Sequence, residues 1–132
     1  MPQLPESARP TRLAAVTPAL VDQKLRIMGH MLAYDAHTAL LLLYDAGHAL
    51  LVDAALCAGW RFERMGAAQV LGYLERAAPE LQIPDLPAHA PAPAVDAGLV
   101  LRALLVRPAA GAEVMLWNEV LAELELDADA GA

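Results

Sequence analysis

The sequence predicts one small, mainly β domain, in which five strands close into a barrel that is flanked by a short helix before it and an α-helix after it. Residues 24–34 are apolar at nearly every position, which is typical of a strand buried on both faces. Gly29 in the middle of this segment indicates a sharp bend or a bulge, where a strand leaves one sheet and enters another. Two further apolar runs follow after short polar turns, as expected of a meander in a small barrel.

The other elements follow in chain order. Before the first strand, residues 13–22 predict a short helix with Thr17 as its cap and Pro18 at its first position. In the fourth strand, Gly72 is a second candidate bend. The five predicted strands are residues 24–34, 39–44, 49–53, 69–76 and 98–106. Five strands with one of them bent at a glycine are the composition of an OB-fold.

Two segments between the strands are predicted to be loops. Residues 54–66 are rich in alanine, which favours a helix, but Gly59 and Gly66 interrupt them, so a helix over residues 54–78 is the alternative. Residues 79–96 hold five prolines and predict a long exposed loop between the fourth and fifth strands. A mobile tail over residues 1–12 and a frayed tail over 127–132 leave a single domain at 13–126.

Composition limits the possible functions. The 132 residues suffice for one domain, and 58% of them are hydrophobic, yet no apolar run reaches the roughly 18 residues that a membrane span needs. Such an apolar excess indicates a surface covered by a partner. Of the net charge of −7, the segment from Glu113 onward carries −6 and residues 1–112 carry −1. The chain is therefore a poor candidate for tight nucleic-acid binding by itself, although weak contact through a local basic patch stays open.

The sequence shows no pattern typical of an enzyme. Ser7 is the only serine, and Cys57 is the only cysteine, which we interpret as a small buried hydrophobe. The histidines lack the paired spacing of metal ligands, so no metal, cofactor or catalytic residue is predicted; they are His30, His37, His48 and His89. A small enzyme or ligand carrier that uses Cys57 and the histidines is the alternative from another functional class.

The terminal helix, residues 112–126, carries a broad apolar surface. Four apolar side chains recur at helical spacing, with Leu116 and Val120 beside them; the four are Val114, Trp117, Leu121 and Leu124. This arc is wider than one packing surface requires. Either all of it covers the open end of the barrel, or one side packs on the barrel and the other meets a partner. We favour the second interpretation, in which Trp117 is an anchor.

Aromatic and basic residues form a weak candidate site for single-stranded nucleic acid. Aromatic side chains stack on bases, and arginines contact the backbone phosphates. The candidates are Tyr34, Trp60, Arg61, Arg64, Tyr73 and Arg102. Most of them are expected to fill the core or its rim, and Arg61 and Arg64, beside Trp60, are the best exceptions.

Several segments resemble a known family. Residues 25–35, LRIMGHMLAYD, resemble the first-strand signature of the Ten-one family, the smallest subunit of the CST telomere-capping complex (Cdc-thirteen or CTC-one, Stn-one and Ten-one). Residues 70–74, 99–107 and 113–123 match the family's fourth strand, fifth strand and closing helix in order. The stretch LWNEV at 116–120 is also similar to the smallest subunit of replication protein A. The proline-rich loop is longer than the family leads us to expect.

The resemblance implies a non-catalytic OB-fold subunit that forms a heterodimer with the larger OB-fold protein Stn-one, within a heterotrimeric complex. The assembled complex would bind single-stranded telomeric DNA, with little contribution from this subunit, and would protect and help replicate telomere ends in the nucleus. Arg26 matches a family arginine at the partner surface. With the helix residues, the expected partner-binding set is Arg26, Val114, Trp117, Val120, Leu121 and Leu124. A replication-protein-A-like small subunit, acting in general single-strand binding, is the alternative; neither function involves a cofactor or a membrane.

Overall fold

Five long strands form a closed barrel, and an α-helix follows them. The computed structural model describes residues 7–79, 81–86 and 93–130, with side chains through residue 125. In chain order the elements are β1 (Arg9–Pro10), β2 (Lys24–Asp35), β3 (Leu40–Asp45), β4 (His48–Asp53), β5 (Ala67–Arg76), β6 (Ala94–Pro108) and α1 (Gly111–Ala130). The sheet order is β1-β2-β3-β4-β6-β5, and β2 also pairs with β5, which closes the barrel. The predicted five-stranded OB-fold barrel with a C-terminal helix is confirmed.

Strand β2 changes its pairing partner at Gly29 and His30. Its first half pairs with β5 as far as His30, and its second half pairs with β3 from His30 onward. A Cβ atom at residue 29 would lie 3.0 Å from both the Leu43 side chain and the Tyr44 carbonyl oxygen. Glycine therefore permits the close approach of β3 at the position where β2 passes between its two partners. The strand transition predicted from Gly29 is confirmed.

A bulge in β6 lies opposite Gly72. Leu71 pairs with Leu105 and Gly72 pairs with Ala103, so Leu104 is the extra residue. A Cβ atom at residue 72 would lie 2.3 Å from the Arg102 carbonyl oxygen, so only glycine fits here. The bulge leaves Leu104 and Leu105 both exposed, at 46% and 45% of their surface. It thereby interrupts the alternation of inward and outward side chains.

The core has two parts. Inside the barrel, alternate residues of each strand pack together, among them Leu25, Leu41 and Leu101. A second cluster on the outer side of β3 and β4 contains Leu32, Leu40, Leu42, Leu51 and Val100, with Leu81 and Val95 packed against it. Because both of its faces are covered, β3 is a continuous run of buried leucines rather than an alternating one.

The segment before β2 differs from the prediction. Two 3-10 turns, Leu13–Ala15 and Pro18–Leu20, replace the single helix expected over residues 13–22. Thr17 does precede Pro18, but its side chain makes no capping hydrogen bond. The residue before a proline is sterically excluded from the helical region, and Thr17 is accordingly extended, with φ −134° and ψ 164°. This interruption explains why one helix does not form.

The predicted tails are partly ordered. Arg9–Pro10 pairs in parallel with Leu25 and Arg26 of β2, and Thr11 is buried, so the mobile tail predicted over residues 1–12 is wrong for residues 9–12. Backbone pairing and burial of Thr11 outweigh the weak local pattern. At the other end, α1 continues to Ala130 through most of the segment predicted to fray. Residues 1–6 and 131–132 lie outside the described residues.

The two predicted loops have different outcomes. Residues 54–66 form turns and irregular structure, as predicted, and the helical alternative is wrong for this segment. Strand β6 begins at Ala94, inside the loop predicted over residues 79–96, where its first residues pair with the start of β4. Residues 79, 81–86 and 93 are irregular, whereas residues 80 and 87–92 lie outside the described part of the chain.

Candidate partner interface

The inner face of α1 packs on the barrel and its N-terminal segment. Val114 and Leu121 are 1% and 8% exposed, and Trp117 and Asn118 between them are half-buried. At the start of the helix, the Ala110 backbone N–H donates to the Glu113 carboxylate at 3.2 Å, one half of a capping box. Val114 and Leu121, both predicted to bind a partner, are therefore buried within this chain's own fold.

Three side-chain contacts fix the orientation of α1. The Trp117 indole N–H donates to the Thr11 carbonyl oxygen at 3.4 Å, and the Asn118 amide donates to the Asp45 carboxylate. In the second half of α1, the Glu125 carboxylate accepts two hydrogen bonds from the Arg12 guanidinium. This contact lowers the pKa of Glu125 and raises that of Arg12. The helix is thus held at two points by the segment that precedes β2.

A second face of α1, beside the inner one, is apolar and exposed. Leu116, Val120 and Leu124 recur every fourth residue, so they form one stripe along the helix. They are 61%, 46% and 57% exposed. We call these three residues the exposed helix stripe. Because α1 is apolar on its inner face and again along the exposed helix stripe, it presents a second packing surface that the described residues do not cover.

The exposed helix stripe borders the outer surface of β2. Leu116 and Val120 line a small cavity of 260 Å³ together with Met28 of β2 and Trp117. Arg26 lies two residues before Met28 and therefore on the same face of the strand. Its Nε atom is buried, and the described residues offer this atom no hydrogen-bond partner. A buried donor without an acceptor is costly, so this atom calls for an explanation.

The apolar surface continues across the barrel beyond Arg26. Arg26 is paired with Leu71 of β5, and Leu71 with Leu105 of β6. Leu105 and the bulged Leu104 are exposed. We call this row, Arg26, Leu71, Leu104 and Leu105, the outer barrel row. Leu104 and Leu105 were not predicted as partner residues, because their exposure depends on the bulge opposite Gly72.

Three of the candidate nucleic-acid residues lie at one end of the barrel. Trp60 and Tyr34 form a T-shaped pair, with ring centroids 4.9 Å apart, and Tyr34 stacks on Phe62 at 6.0 Å. All three rings are half-buried against the interior core, as expected of rim residues. Arg61 beside them is exposed, and so is Arg64. The structure therefore brings Tyr34, Trp60 and Arg61 together.

Two further candidates lie elsewhere. Tyr73 of β5 is paired with Arg102 of β6 and with Lys24 of β2. The Arg102 guanidinium faces the Glu75 carboxylate at 3.6 Å, and both side chains are largely exposed. Surface pairs of this kind contribute little to stability, but the carboxylate reduces the local positive charge. Tyr73 and Arg102 thus form a separate group from the aromatic cluster.

Cys57 does not have the properties of a nucleophile. Its thiol donates to the Ala103 carbonyl oxygen at 3.5 Å, and its pKa is raised by burial and by the Asp53 carboxylate. A raised pKa reduces the reactive thiolate, which argues against the alternative of a Cys57-based enzyme. Within the described ranges, the His, Cys, Asp and Glu side chains form no group of three that could hold a metal ion. The described residues also include no helix long and apolar enough to span a membrane.

Comparisons with known proteins identify the fold. No family model matches the chain, and the search of curated proteins also returns no match. Among solved structures, a chain of the S. pombe Stn1–Ten1 complex is 18% identical with a TM-score of 0.64, and covers 94% of this chain and 97% of that one. Ten1 of S. pombe on its own is 18% identical with a TM-score of 0.63, over 90% and 98%. The chain has the fold of Ten1.

The similarity to Ten1 includes the barrel and both flanking segments, since it covers nearly the whole of each chain. An OBody bound to hen egg-white lysozyme is a more distant match, 14% identical with a TM-score of 0.53, over 77% of this chain and 96% of that one. The match to Ten1 thus extends further along the chain than the match to this smaller barrel.

Proposed function

We propose that this chain is the small subunit of a telomere-capping complex and that it forms a heterodimer with a larger, Stn1-type OB-fold protein. One observation carries the proposal: a chain with the fold of Ten1 leaves an apolar helix face exposed beside Arg26, whose buried Nε atom has no hydrogen-bond partner among the described residues. The solved complex of S. pombe Stn1 with Ten1 supports this choice of partner. The chain would be non-catalytic and would act in the nucleus, at telomeric chromosome ends.

The proposed contact combines the exposed helix stripe with the outer barrel row. Large apolar side chains that are more than half exposed, such as Leu116 and Leu124, lose their contact with water when a partner helix packs on them. Burial of each such side chain contributes about 1.5–3 kcal/mol at most. Binding of the partner would also give the Arg26 Nε atom a hydrogen-bond acceptor. Of the predicted partner set, Val120, Leu124 and Arg26 retain a direct role, whereas Val114, Trp117 and Leu121 position the helix.

The proposal assigns DNA binding mainly to the assembled complex. The chain carries a net charge of −7, and phosphate neutralisation is the main source of affinity for nucleic acid. A small acidic subunit is suited to stabilising a larger partner, which then supplies most of the DNA surface. The same charge argues against an independent, tight single-strand binder.

Co-expression with the Stn1-type subunit of the same cell tests the proposal. The native chain should co-purify with it at a one-to-one ratio, and Leu116→Glu with Val120→Glu should abolish the association. Leu56→Glu is the matched control, since Leu56 is 64% exposed but lies in the loop after β4. Circular dichroism checks that each variant is folded. Pairing with a large replication-protein-A subunit instead, or an unaffected double variant, would contradict the proposal.

A further inference from the structure

The face on which OB-folds usually bind oligonucleotides is closed in this chain. That face is formed by the second and third barrel strands, which are β3 and β4 here. Their outward side chains include Leu40, Leu42 and Leu51, each no more than 2% exposed. Ala77, Leu81 and Val95 pack over this cluster. A nucleic-acid strand could reach this surface only by displacing the chain's own residues from an apolar core.

An open pocket lies at the end of the barrel where β5 begins and β6 ends. It has a volume of 280 Å³, with Trp60 in its wall and an apolar floor that includes Met31, Ala68 and Val106. Arg61 and Arg107 line its rim. We call it the Trp60 pocket. Its volume is below that of a typical site for a drug-sized ligand, so it suits one flat ring rather than a large molecule.

The arginines of the Trp60 pocket are available to an anion. Arg107 donates through Nε to the buried Gln69 side chain at 2.6 Å, which fixes the guanidinium and leaves its two terminal nitrogens directed elsewhere. Glu63 also lines the pocket, but the described residues show no ion pair between it and either arginine. By contrast, Arg12 and Arg102 are each paired with a carboxylate. With Glu63 counted, Arg61 and Arg107 give the pocket lining a net charge of +1 in a chain that is acidic overall.

We infer that the Trp60 pocket binds one nucleotide of a single strand, with its base against Trp60 and its phosphate between Arg61 and Arg107. This inference rests on the proposed function and adds to it a direct contact between this subunit and nucleic acid. Stacking on an aromatic ring is tolerant of sequence, and two arginines beside one ring supply the matching phosphate contacts. Trp60 keeps a fixed orientation because its ring packs against Tyr34 in a T-shaped pair. The pocket selects single-stranded over double-stranded nucleic acid, since a paired base cannot enter it.

Fluorescence titration of the full chain with an oligothymidylate of about 15 nucleotides tests the inference. Trp117→Phe leaves Trp60 as the only tryptophan, because the chain contains two. Oligothymidylate should quench Trp60 emission at about 20 mM salt, with a dissociation constant in the range of roughly 1–100 μM that is expected of weak, non-specific binding. Duplex DNA of the same length should quench it much less. Absence of quenching at low salt, or equal quenching by duplex DNA, would overturn the inference.

Arginine variants test the assigned contacts. Arg61→Gln and Arg107→Gln should each weaken oligothymidylate binding about five- to tenfold and reduce the dependence of affinity on salt. Arg76→Gln is the matched control, because Arg76 is exposed at the far end of β5, and it should change the affinity less than twofold. Equal effects of all three variants would indicate non-specific attraction and overturn the inference. Equal quenching by a polyglutamate peptide of matched charge would do the same, by indicating an acidic peptide as the ligand.

Nucleotide binding at the Trp60 pocket and partner binding at the exposed helix stripe can be tested separately. Leu116→Glu with Val120→Glu changes the exposed helix stripe and leaves the Trp60 pocket intact. The double variant should lose the partner and retain oligothymidylate binding. Arg61→Gln should retain the partner and lose affinity for the oligonucleotide. Loss of both functions in either variant would contradict the assignment of two separate surfaces.

Discussion

Arg12 and Glu125 are 113 positions apart in the sequence, yet their side chains form an ion pair with two hydrogen bonds, which joins the N-terminal segment to α1. About a third of the Arg12 side chain and somewhat more of the Glu125 side chain remain exposed, so water screens the pair. Trp117 reinforces the same connection through Thr11. The helix that carries the proposed partner surface is therefore positioned by residues that precede the barrel.

Acid should weaken this connection. The Arg12 contact lowers the pKa of Glu125 below its ordinary value of 4.5, so its contribution is present above that pH and is lost as the pH falls through the lowered pKa. At neutral pH, Arg12→Gln should lower the free energy of unfolding by at most about 1 kcal/mol, as for other exposed pairs. Urea denaturation at pH 7 and pH 3 measures this, and the difference between native chain and variant should shrink at pH 3. A constant difference would contradict the ion-pair explanation.

Gly72→Ala should destabilise the barrel severely. The added Cβ would lie 2.3 Å from the Arg102 carbonyl oxygen, and β5 and β6 would have to separate at their bulge. We expect a loss of at least about 2 kcal/mol in the free energy of unfolding. Gly111→Ala is the control, because nothing lies within 4 Å of a Cβ there, and its effect should stay within about 0.5 kcal/mol. Similar thermal unfolding of the two variants would contradict the tight crossing at Gly72.

Leu42→Ala should show that the outer cluster is a second core. Leu42 is fully buried on the outer side of β3, and truncating such a leucine typically costs about 2–5 kcal/mol. Leu104→Ala removes the same atoms from a side chain that is 46% exposed, so its cost should be below about 1 kcal/mol. Chemical denaturation compares the two. If Leu42→Ala cost no more than Leu104→Ala, the outer face of β3 would be open in solution.

Cys57 should react slowly with thiol reagents. Burial and the Asp53 carboxylate raise its pKa, so little thiolate is present at neutral pH. Its rate of reaction with a disulfide reagent at pH 7.5 should be lower in the folded chain than in the chain unfolded in urea. Asp53→Asn should lower the pKa and raise the folded-state rate. A folded chain that reacts faster than the unfolded one would revive the alternative of a nucleophilic cysteine.

The strands could be predicted from the sequence because their cause is local. Apolar runs interrupted by polar turns determine β2, β3 and β4. Gly29 marks a close approach of two strands, and Gly72 marks a position where only glycine fits. The early start of β6 could not be predicted, because its first residues are ordered by pairing with β4, which is distant in sequence. The pairing of Arg9–Pro10 with β2 was missed for the same reason.

The candidate surfaces were only partly predictable. Helical spacing identified two apolar faces on α1, but it could not say which one packs on the barrel, because both are rich in leucine and valine. The structure assigns Val114 and Leu121 to the inner face and Leu116, which was left out of the partner set, to the outer one. Arg107 was also missed, since its position beside Trp60 depends on the antiparallel pairing of β5 with β6.

The position of β6 between β4 and β5 has a consequence for the chain during its synthesis. Until Pro108 has left the ribosome, β4 and β5 each present an edge without its later neighbour, and the inner leucines face water. Such unfinished sheets associate readily with other chains. A newly made chain should therefore depend on holding chaperones until translation is nearly complete, and truncations before residue 108 should accumulate in aggregates.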